Sequence, residues 1–265
     1  MRILFIGDIF GNTGRRVLAE RLPSIIKEKS IDVCIGNGEN AAGGRGLTGN
    51  LFKKLRKYGV NIVTGGNHSF SIPDSDIGFM ENERVLRPLN FPPGNIGRGA
   101  TVIDLGDGRK IGVINLQGRT FMHEALDCPF RTGKAAVEEI RKETPVILID
   151  FHAEATSEKL ALASYLDGMV SAVVGTHTHV QTSDERILQG GTAYISDVGM
   201  TGPEDSVIGM KKKQVIRRFL LQTPVRFEQS ESGPMLNGVV IEVDESSGKA
   251  LSIERVYERV TFRHE

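Results

Sequence analysis

The chain has 265 residues, of which 39% are apolar and 25% charged, the composition of an ordinary globular protein with a sizeable core. Lys plus Arg and Asp plus Glu both number 33, so the net charge is zero, which argues against broad electrostatic capture of nucleic acid or of an anionic membrane surface. Because no signal peptide or transmembrane stretch is present and the two cysteines show no motif spacing, we expect one cytoplasmic domain over residues 1–265.

Short apolar runs alternate with helical segments through most of the chain, which is typical of an α/β fold. The predicted strands are apolar on both faces, as buried strands are, and cover residues 3–7, 31–35, 61–64, 146–151 and 170–174. The predicted helices lie between them, at residues 14–28, 49–58, 134–143 and 158–166. Thr156-Ser157 is the expected N-cap of the last helix.

The second half of the chain adds signals of antiparallel pairing. Residues 102–105 and 111–116 flank Gly106-Asp107-Gly108, which predicts a hairpin. Further strand-like runs follow at 193–195, 238–243 and 251–256, and we expect them to pair antiparallel. This mixture favours two packed sheets flanked by helices over one purely parallel sheet.

Polar side chains follow directly after five of the predicted strands. In chain order they are Asp8, Glu39-Asn40, Asn67-His68, His152 and the pair His177 and His179 of a Gly-x-His-x-His segment. Taken singly, each has an ordinary structural interpretation, such as a turn carboxylate, a solvated Gly-rich loop or a core histidine. The glycines near Asp8 match neither a dinucleotide fingerprint nor a phosphate-binding P-loop.

Together these residues predict a metal site. Four of the six histidines lie at strand ends, which is where open α/β sheets place their ligands, whereas His123 and His264 have no such setting. Imidazole, carboxylate and amide ligands without thiolate suit iron(II), manganese(II) or zinc(II). Adjacent side chains diverge, so one of Asn67 and His68 is expected to bind metal and the other to face a substrate.

The order of these motifs resembles that of the calcineurin-like metallophosphoesterases and, more narrowly, the bacterial YmdB-like phosphodiesterases. The resemblance covers most of the chain and includes the blocks at residues 150–159 and 192–203. Phe10 stands where the broad family carries a histidine, and Glu39 where it carries an aspartate; the narrower family shares both departures. Ser69-Phe70-Ser71 departs from the Thr-Trp-Asp expected beside His68.

The resemblance implies a four-layer sandwich of two mixed β-sheets flanked by helices, and a dinuclear metal centre of iron or manganese, with zinc as a further candidate. It implies that Glu39 bridges the two ions and that His68 is the general acid for attack by a metal-bridging hydroxide. The remaining ligands would divide into two sets, one of Asp8, Asn40 and His179 and the other of Asn67, His152 and His177. Small phosphodiesters, chiefly 2′,3′-cyclic and also 3′,5′-cyclic nucleotides, are the implied substrates, and a homo-oligomer the implied assembly.

Two other functions stay open from the sequence. One is a nucleotide-binding regulatory protein with little or no turnover, which a free His68 argues against. The other is an RNA-directed nuclease, which the zero net charge and the lack of tryptophan disfavour. Arg45 and Arg119 are candidate phosphate contacts. The basic cluster at 211–213 and 217–218 is expected to lie on the solvated face of a helix.

Overall fold

The computed structural model describes residues 1–71 and 74–262, with the side chains of 74–77 left out, so His264 lies outside the described residues. The strands are β1 Arg2–Ile6, β2 Asp8–Ile9, β3 Val33–Asn37, β4 Ile62–Thr64, β5 Ala100–Asp104, β6 Lys110–Gln117, β7 Ile147–His152, β8 Ala172–Thr176, β9 Arg186–Ile187, β10 Ala193–Ile195, β11 Met200–Pro203, β12 Pro234–Val243 and β13 Ala250–Arg259. The helices are α1 Gly11–Glu28, α2 Gly49–Tyr58, α3 Pro129–Ile140, α4 Thr156–Tyr165 and α5 Lys212–Leu221, with a 3-10 helix at Asp74–Glu81.

Both sheets are mixed. The first has the strand order β2-β11-β12-β1-β3-β4, with β13 pairing on β12, and its β1, β3 and β4 run parallel. The second has the order β5-β6-β7-β8-β10-β9, in which β6, β7, β8 and β10 run parallel between antiparallel edge strands. Parallel neighbours end at the same edge of a sheet, so the loops that follow β1, β3 and β4, and those that follow β7 and β8, are brought together.

The core is built in layers from the alternation of side chains along each strand. In β1, Ile3 and Phe5 pack between the two sheets, whereas Leu4 and Ile6 pack under α1 and α2. The outer face of the second sheet is covered by α3 and α4 in the same way. Each such fully buried side chain stabilises the fold by roughly 1.5–3 kcal/mol. The predicted four-layer sandwich is therefore confirmed.

Most predicted elements are found with their ends shifted by a few residues, and the hairpin of β5 and β6 is confirmed. The N-cap prediction for α4 is wrong, because Thr156 already has a helical position and Ala155 occupies the cap without a side-chain bond. The strand at 193–195 is antiparallel only to β9; it runs parallel to β8. Cys34 is a buried core thiol, and burial raises its pKa.

Candidate metal centre

The structure brings all eight predicted site residues to one end of the sandwich. Asp8 begins β2 directly after β1, and the Glu39-Asn40 and Asn67-His68 pairs follow β3 and β4 in the first sheet. In the second sheet, His152 is the last residue of β7, and His177 and His179 follow β8. The two sheets therefore each supply candidate ligands from the carboxyl-terminal ends of their parallel strands, and Glu39 of the first sheet meets His152 of the second.

The carboxylate of Glu39 lies at the centre of this group. Its Oε1 is 3.2 Å from His152 Nε2 and 3.3 Å from His68 Nδ1, and its Oε2 accepts the backbone N–H of His68 at 3.1 Å. The side chain is only 2% exposed. The histidine nitrogens therefore meet at one oxygen of a buried carboxylate, which is placed to contact a cation.

Three atoms that could coordinate a metal ion lie close together next to Glu39. His152 Nε2 lies 2.9 Å from Asn67 Oδ1 and 3.1 Å from His177 Nδ1. Donor atoms of Glu39, His152 and His177 all lie within 4.8 Å of one another, the spacing of ligands around one ion. The two imidazole nitrogens can share at most one proton between them, so a cation would satisfy both better than a hydrogen bond does.

A second group of polar atoms, which surrounds the amide of Asn40, also lies next to Glu39. Asn40 Nδ2 lies 3.1 Å from both His179 Nε2 and Glu39 Oε1, and Asp8 Oδ1 lies 3.8 Å from His179 Nε2. Asp8 Oδ2 accepts the backbone N–H of His177 at 3.2 Å, whereas Oδ1 is buried with no hydrogen-bond partner among the described residues. An unpaired buried carboxylate oxygen is costly, and a bound cation would remove that cost.

The charges of the cluster also suit a cation. Burial favours a neutral carboxyl, but His152 and His68 hold the pKa of Glu39 well below its usual range, so it is ionised. Burial lowers the pKa of His177 to about 3, so its ring is neutral and can coordinate. Burial favours the neutral form of the His152 ring, but the carboxylate of Glu39 outweighs this effect and raises the pKa of His152 to about 9. Divalent ions would replace this proton as the counter-charge of Glu39.

The second nitrogens of His177 and His179 are held by partners outside the cluster. His177 Nε2 lies 3.2 Å from the carboxylate of Glu154, and His179 Nδ1 lies 3.1 Å from the carbonyl oxygen of Ile208. Such partners fix the tautomer and the ring orientation of metal-binding histidines. They leave His177 Nδ1 and His179 Nε2 directed into the cluster.

His152 is oriented by a longer chain of buried groups. Its Nδ1 donates to Thr176 Oγ1 at 3.0 Å, and that hydroxyl donates in turn to Asp150 Oδ1 at 2.7 Å. Asp150 Oδ2 also accepts from Asn37 and Thr64, which belong to the first sheet. The ring of His152 is therefore fixed by contacts that tie the two sheets together.

The segment that carries the last two histidines has an unusual backbone. His177 and His179 have φ angles of 97° and 66°, a region that residues with a Cβ rarely adopt. Asp197 holds the residue between them, because its Oδ2 accepts Thr178 N at 3.1 Å and Thr178 Oγ1 at 2.8 Å. The same oxygen is 2.9 Å from Lys159 Nζ, and both members of this ion pair are 1% exposed. Strain of this kind persists only where surrounding contacts enforce it.

Two glycines make room for the cluster. A Cβ on Gly66 would overlap the carboxylate of Glu39 and the ring of His152. A Cβ on Gly175 would overlap the carbonyl oxygen of Ser196 in the neighbouring strand connection. Both positions therefore require glycine for close approach, which agrees with the glycine-rich strand ends noted in the sequence.

The cluster opens into a cavity of about 540 Å³. Its lining includes Glu39, Asn40, His68, His177 and His179. Of the two arginines predicted to contact phosphate, Arg45 lines this cavity and Arg119 does not. Arg119 instead donates its backbone N–H to Glu158.

Comparisons with known proteins identify the family of this chain. A family profile described as YmdB-like protein matches residues 4–256. The chain belongs to the YmdB-like family. A Bacillus subtilis protein named 2′,3′-cyclic-nucleotide 2′-phosphodiesterase is 49% identical over 256 residues, covering 97% of this chain and 96% of its own. The predicted family is confirmed, and so is the predicted enzyme class, a phosphodiesterase.

Solved structures of relatives confirm the YmdB-like fold. A hypothetical protein from Thermus thermophilus is 40% identical and superposes with a TM-score of 0.90, covering 98% of this chain and 99% of its own. A structure described as a novel phosphatase from Mycoplasma pneumoniae is 35% identical with a TM-score of 0.92, covering 98% of this chain and 93% of its own.

Among the described residues, the helices all lack the combination of length and apolarity that a membrane span requires.

Several residues that build this YmdB-like site were not singled out from the sequence. Asp150 and Thr176 support His152, and Asp197 with Lys159 supports Thr178. The sequence does contain one clue to Asp150, which is an acidic residue in a buried strand that is otherwise apolar up to His152. Phe10 also has a role here: its ring packs edge-on against His179, with centroids 5.7 Å apart, at the position where the broad family carries a histidine.

We predict that Thr176→Val weakens metal binding without changing the fold, since valine has the same shape but neither orients His152 nor bonds Asp150. Loss of such a supporting contact lowers metal affinity by about 10–100-fold. Competition with a fluorescent chelator would measure the change. Thr192→Val is the matched control, because Thr192 is equally buried and its hydroxyl bonds Val170 O, away from the cluster. Equal affinities in the two variants would show that Thr176 does not support the site.

Proposed function

We propose that this chain is a dinuclear metal-dependent phosphodiesterase that hydrolyses 2′,3′-cyclic nucleotides. The observation that carries the proposal is that two groups of polar atoms meet at one ionised carboxylate, since His152 Nε2 and Asn40 Nδ2 lie 3.2 Å and 3.1 Å from Glu39 Oε1. The first ion would be held by Asp8, Asn40 and His179, and the second by Asn67, His152 and His177. Iron or manganese is favoured for this donor set, and zinc also accepts it.

Bound divalent ions would supply a water molecule that is acidic enough to attack phosphorus, and positive charge to offset that of the phosphate. The residues of the chain supply the rest. As water adds at phosphorus, the bond from phosphorus to O2′ breaks, and the leaving oxygen takes up a proton. The product is a nucleoside 3′-monophosphate, in keeping with the name of the Bacillus subtilis relative.

His68 is placed to supply that proton. Its ring is about one-quarter exposed, at 24%, and it lines the cavity beside the cluster without belonging to either set of ligands. Its Nδ1 faces Asn40 Oδ1 at 2.9 Å and Glu39 at 3.3 Å, which leaves Nε2 as the nitrogen that can reach a substrate. An alkoxide is a poor leaving group, so a positioned acid contributes typically about 10²–10⁴-fold.

Asn40 links the acid to the first ion. In the structure its Nδ2 faces His179 and Glu39 while its Oδ1 faces His68. To hold an ion through Oδ1, the amide would need the opposite orientation, with Oδ1 towards His179 and Nδ2 towards His68.

The size of the cavity favours a mononucleotide over a long RNA strand, since about 540 Å³ lies within the range of small-ligand pockets. A zero net charge also offers little attraction for a polyanion. 3′,5′-Cyclic nucleotides stay a secondary prediction from the sequence. A homo-oligomer, a cytoplasmic location and a single domain over residues 1–265 likewise stay predictions.

Hydrolysis of 2′,3′-cyclic AMP by the metal-loaded chain tests the proposal, with 3′,5′-cyclic AMP and a short RNA oligonucleotide as competing substrates. The expected result is release of adenosine 3′-monophosphate that a chelator abolishes and added manganese restores. Unimpaired turnover in the presence of the chelator would contradict the metal dependence. Tight nucleotide binding without hydrolysis would support a regulatory binding protein instead, and faster cleavage of the oligonucleotide would support a nuclease.

A further inference from the structure

The cavity beside the metal cluster has two chemically different ends. One end presents the polar side chains of the cluster and His68. The other end is apolar and is formed by the segment between β11 and β12, with α5 at its middle. Its apolar lining consists of Val207, Ile208, Met210, Val215, Phe219 and Phe227. A ligand that fills the cavity must therefore combine a charged group with a flat or apolar group.

One face of α5 is turned to this cavity. Val215, Arg218, Phe219 and Gln222 all line it, and their spacing of three and four residues places them on one side of the helix and its C-cap. Val215 is the buried anchor of α5, whereas Phe219 is 72% exposed. The exposed ring of Phe219 is therefore available to a ligand that enters the cavity.

Phe227 stands on the same wall from the loop after α5 and is 43% exposed. Two exposed aromatic rings on one wall provide faces on which a planar heterocycle can stack. Arg218 is placed beside them on that face and forms no ion pair among the described residues. Its guanidinium plane is therefore available to a ligand.

We propose that this wall is the nucleobase subsite of the enzyme, with the base stacked on Phe219 and Phe227 while the cyclic phosphate lies at the metal cluster. The inference rests on the proposed function and adds which part of the chain recognises the nucleoside. Stacking on an aromatic side chain accepts every base, because each base has a π-face. The subsite therefore favours nucleotides over baseless cyclic phosphates and discriminates little among the bases.

The test compares two cyclic diesters that share the five-membered phosphate ring, 2′,3′-cyclic AMP and glycerol 1,2-cyclic phosphate, which has no base. We expect Phe219→Ala to lower the ratio of kcat/KM for the nucleotide over that for the glycerol diester by about 10–100-fold, mainly through KM. Phe219→Trp should keep the ratio, because an aromatic face remains. Leu220→Ala is the matched control, since Leu220 is 76% exposed on α5 and does not line the cavity.

The outcomes separate this inference from the proposed function. An unchanged ratio in Phe219→Ala, or an equal fall for Leu220→Ala, would overturn the base subsite while hydrolysis itself still supports the enzyme. No hydrolysis of either diester would overturn the proposed function. In that case calorimetric binding of adenosine 3′-monophosphate and of glycerol phosphate to the metal-loaded chain still decides the subsite, because it predicts tighter binding of the nucleotide that Phe219→Ala removes.

Discussion

Replacing His68 with alanine is expected to reduce kcat for 2′,3′-cyclic AMP by about 10²–10⁴-fold while the chain keeps its metal ions. His68 contacts Asn40 and Glu39 through Nδ1, but it stands outside both proposed ligand sets, so its removal deletes a proton donor and leaves the donor atoms in place. The measurement is turnover together with metal content, determined by elemental analysis on the same sample.

A second substrate tests whether the lost activity is that of a proton donor. Bis(4-nitrophenyl) phosphate releases a phenolate that needs little protonation, so its hydrolysis should fall much less than that of the nucleotide. His123→Ala is the control, because His123 is an exposed loop residue that does not line the cavity. Loss of metal in His68→Ala would show that His68 is a ligand, and equal losses on both substrates would show that it is not the general acid.

The second large effect is expected at the ion pair of Lys159 and Asp197. Lys159→Met should lower the free energy of unfolding by about 3–5 kcal/mol, because it leaves a carboxylate buried without its counter-charge. Asp197 would still accept hydrogen bonds from Thr178 and Gly199, but these do not neutralise it. Denaturant unfolding of the metal-free chain measures the change without a contribution from ion binding.

The chain offers a matched control for this change. Lys142 pairs with Glu139 at the surface, where the two side chains are 68% and 73% exposed, and Lys142→Met should change stability by no more than about 0.5 kcal/mol. The double variant Lys159→Met with Asp197→Asn should recover part of the loss, since no net charge is then buried. Equal stabilities of Lys159→Met and Lys142→Met would contradict the role given to the buried pair.

The sequence predicted the positions of the cluster because each donor follows an apolar run. A strand buried on both sides is recognisable from consecutive apolar residues, and parallel strands end at a common edge, so Asp8, His152 and His177 could be expected to meet. The division of the donors around Glu39 came from the family resemblance. The structure adds the distances that make this division physically reasonable.

The supporting contacts could not be predicted in this way. Asn37 reaches Asp150 across 113 residues of chain, and the link between Thr176 and Asp150 depends on the register of β7 against β8. Neither contact leaves a periodic signal in the sequence. The N-cap expected at Thr156 failed for a related reason: a residue type that favours caps is equally found one position inside the helix.

The surroundings of helix α5 were predicted only in part from its local sequence pattern. Its basic cluster predicted a solvated helix face, and Lys212, Lys213 and Arg217 are indeed exposed. The face that carries Arg218 and Phe219 lines the cavity instead. Which face turns to the site is decided by the burial of Val215, a tertiary contact that composition does not reveal.

The most direct test of the account is a metal titration of the metal-free chain, with bound manganese and turnover of 2′,3′-cyclic AMP measured on the same samples. If Glu39 bridges two ions, turnover should stay low up to one ion per chain and rise as the second binds, with adenosine 3′-monophosphate as the product. Full turnover at one ion per chain, or with none, would contradict the dinuclear centre.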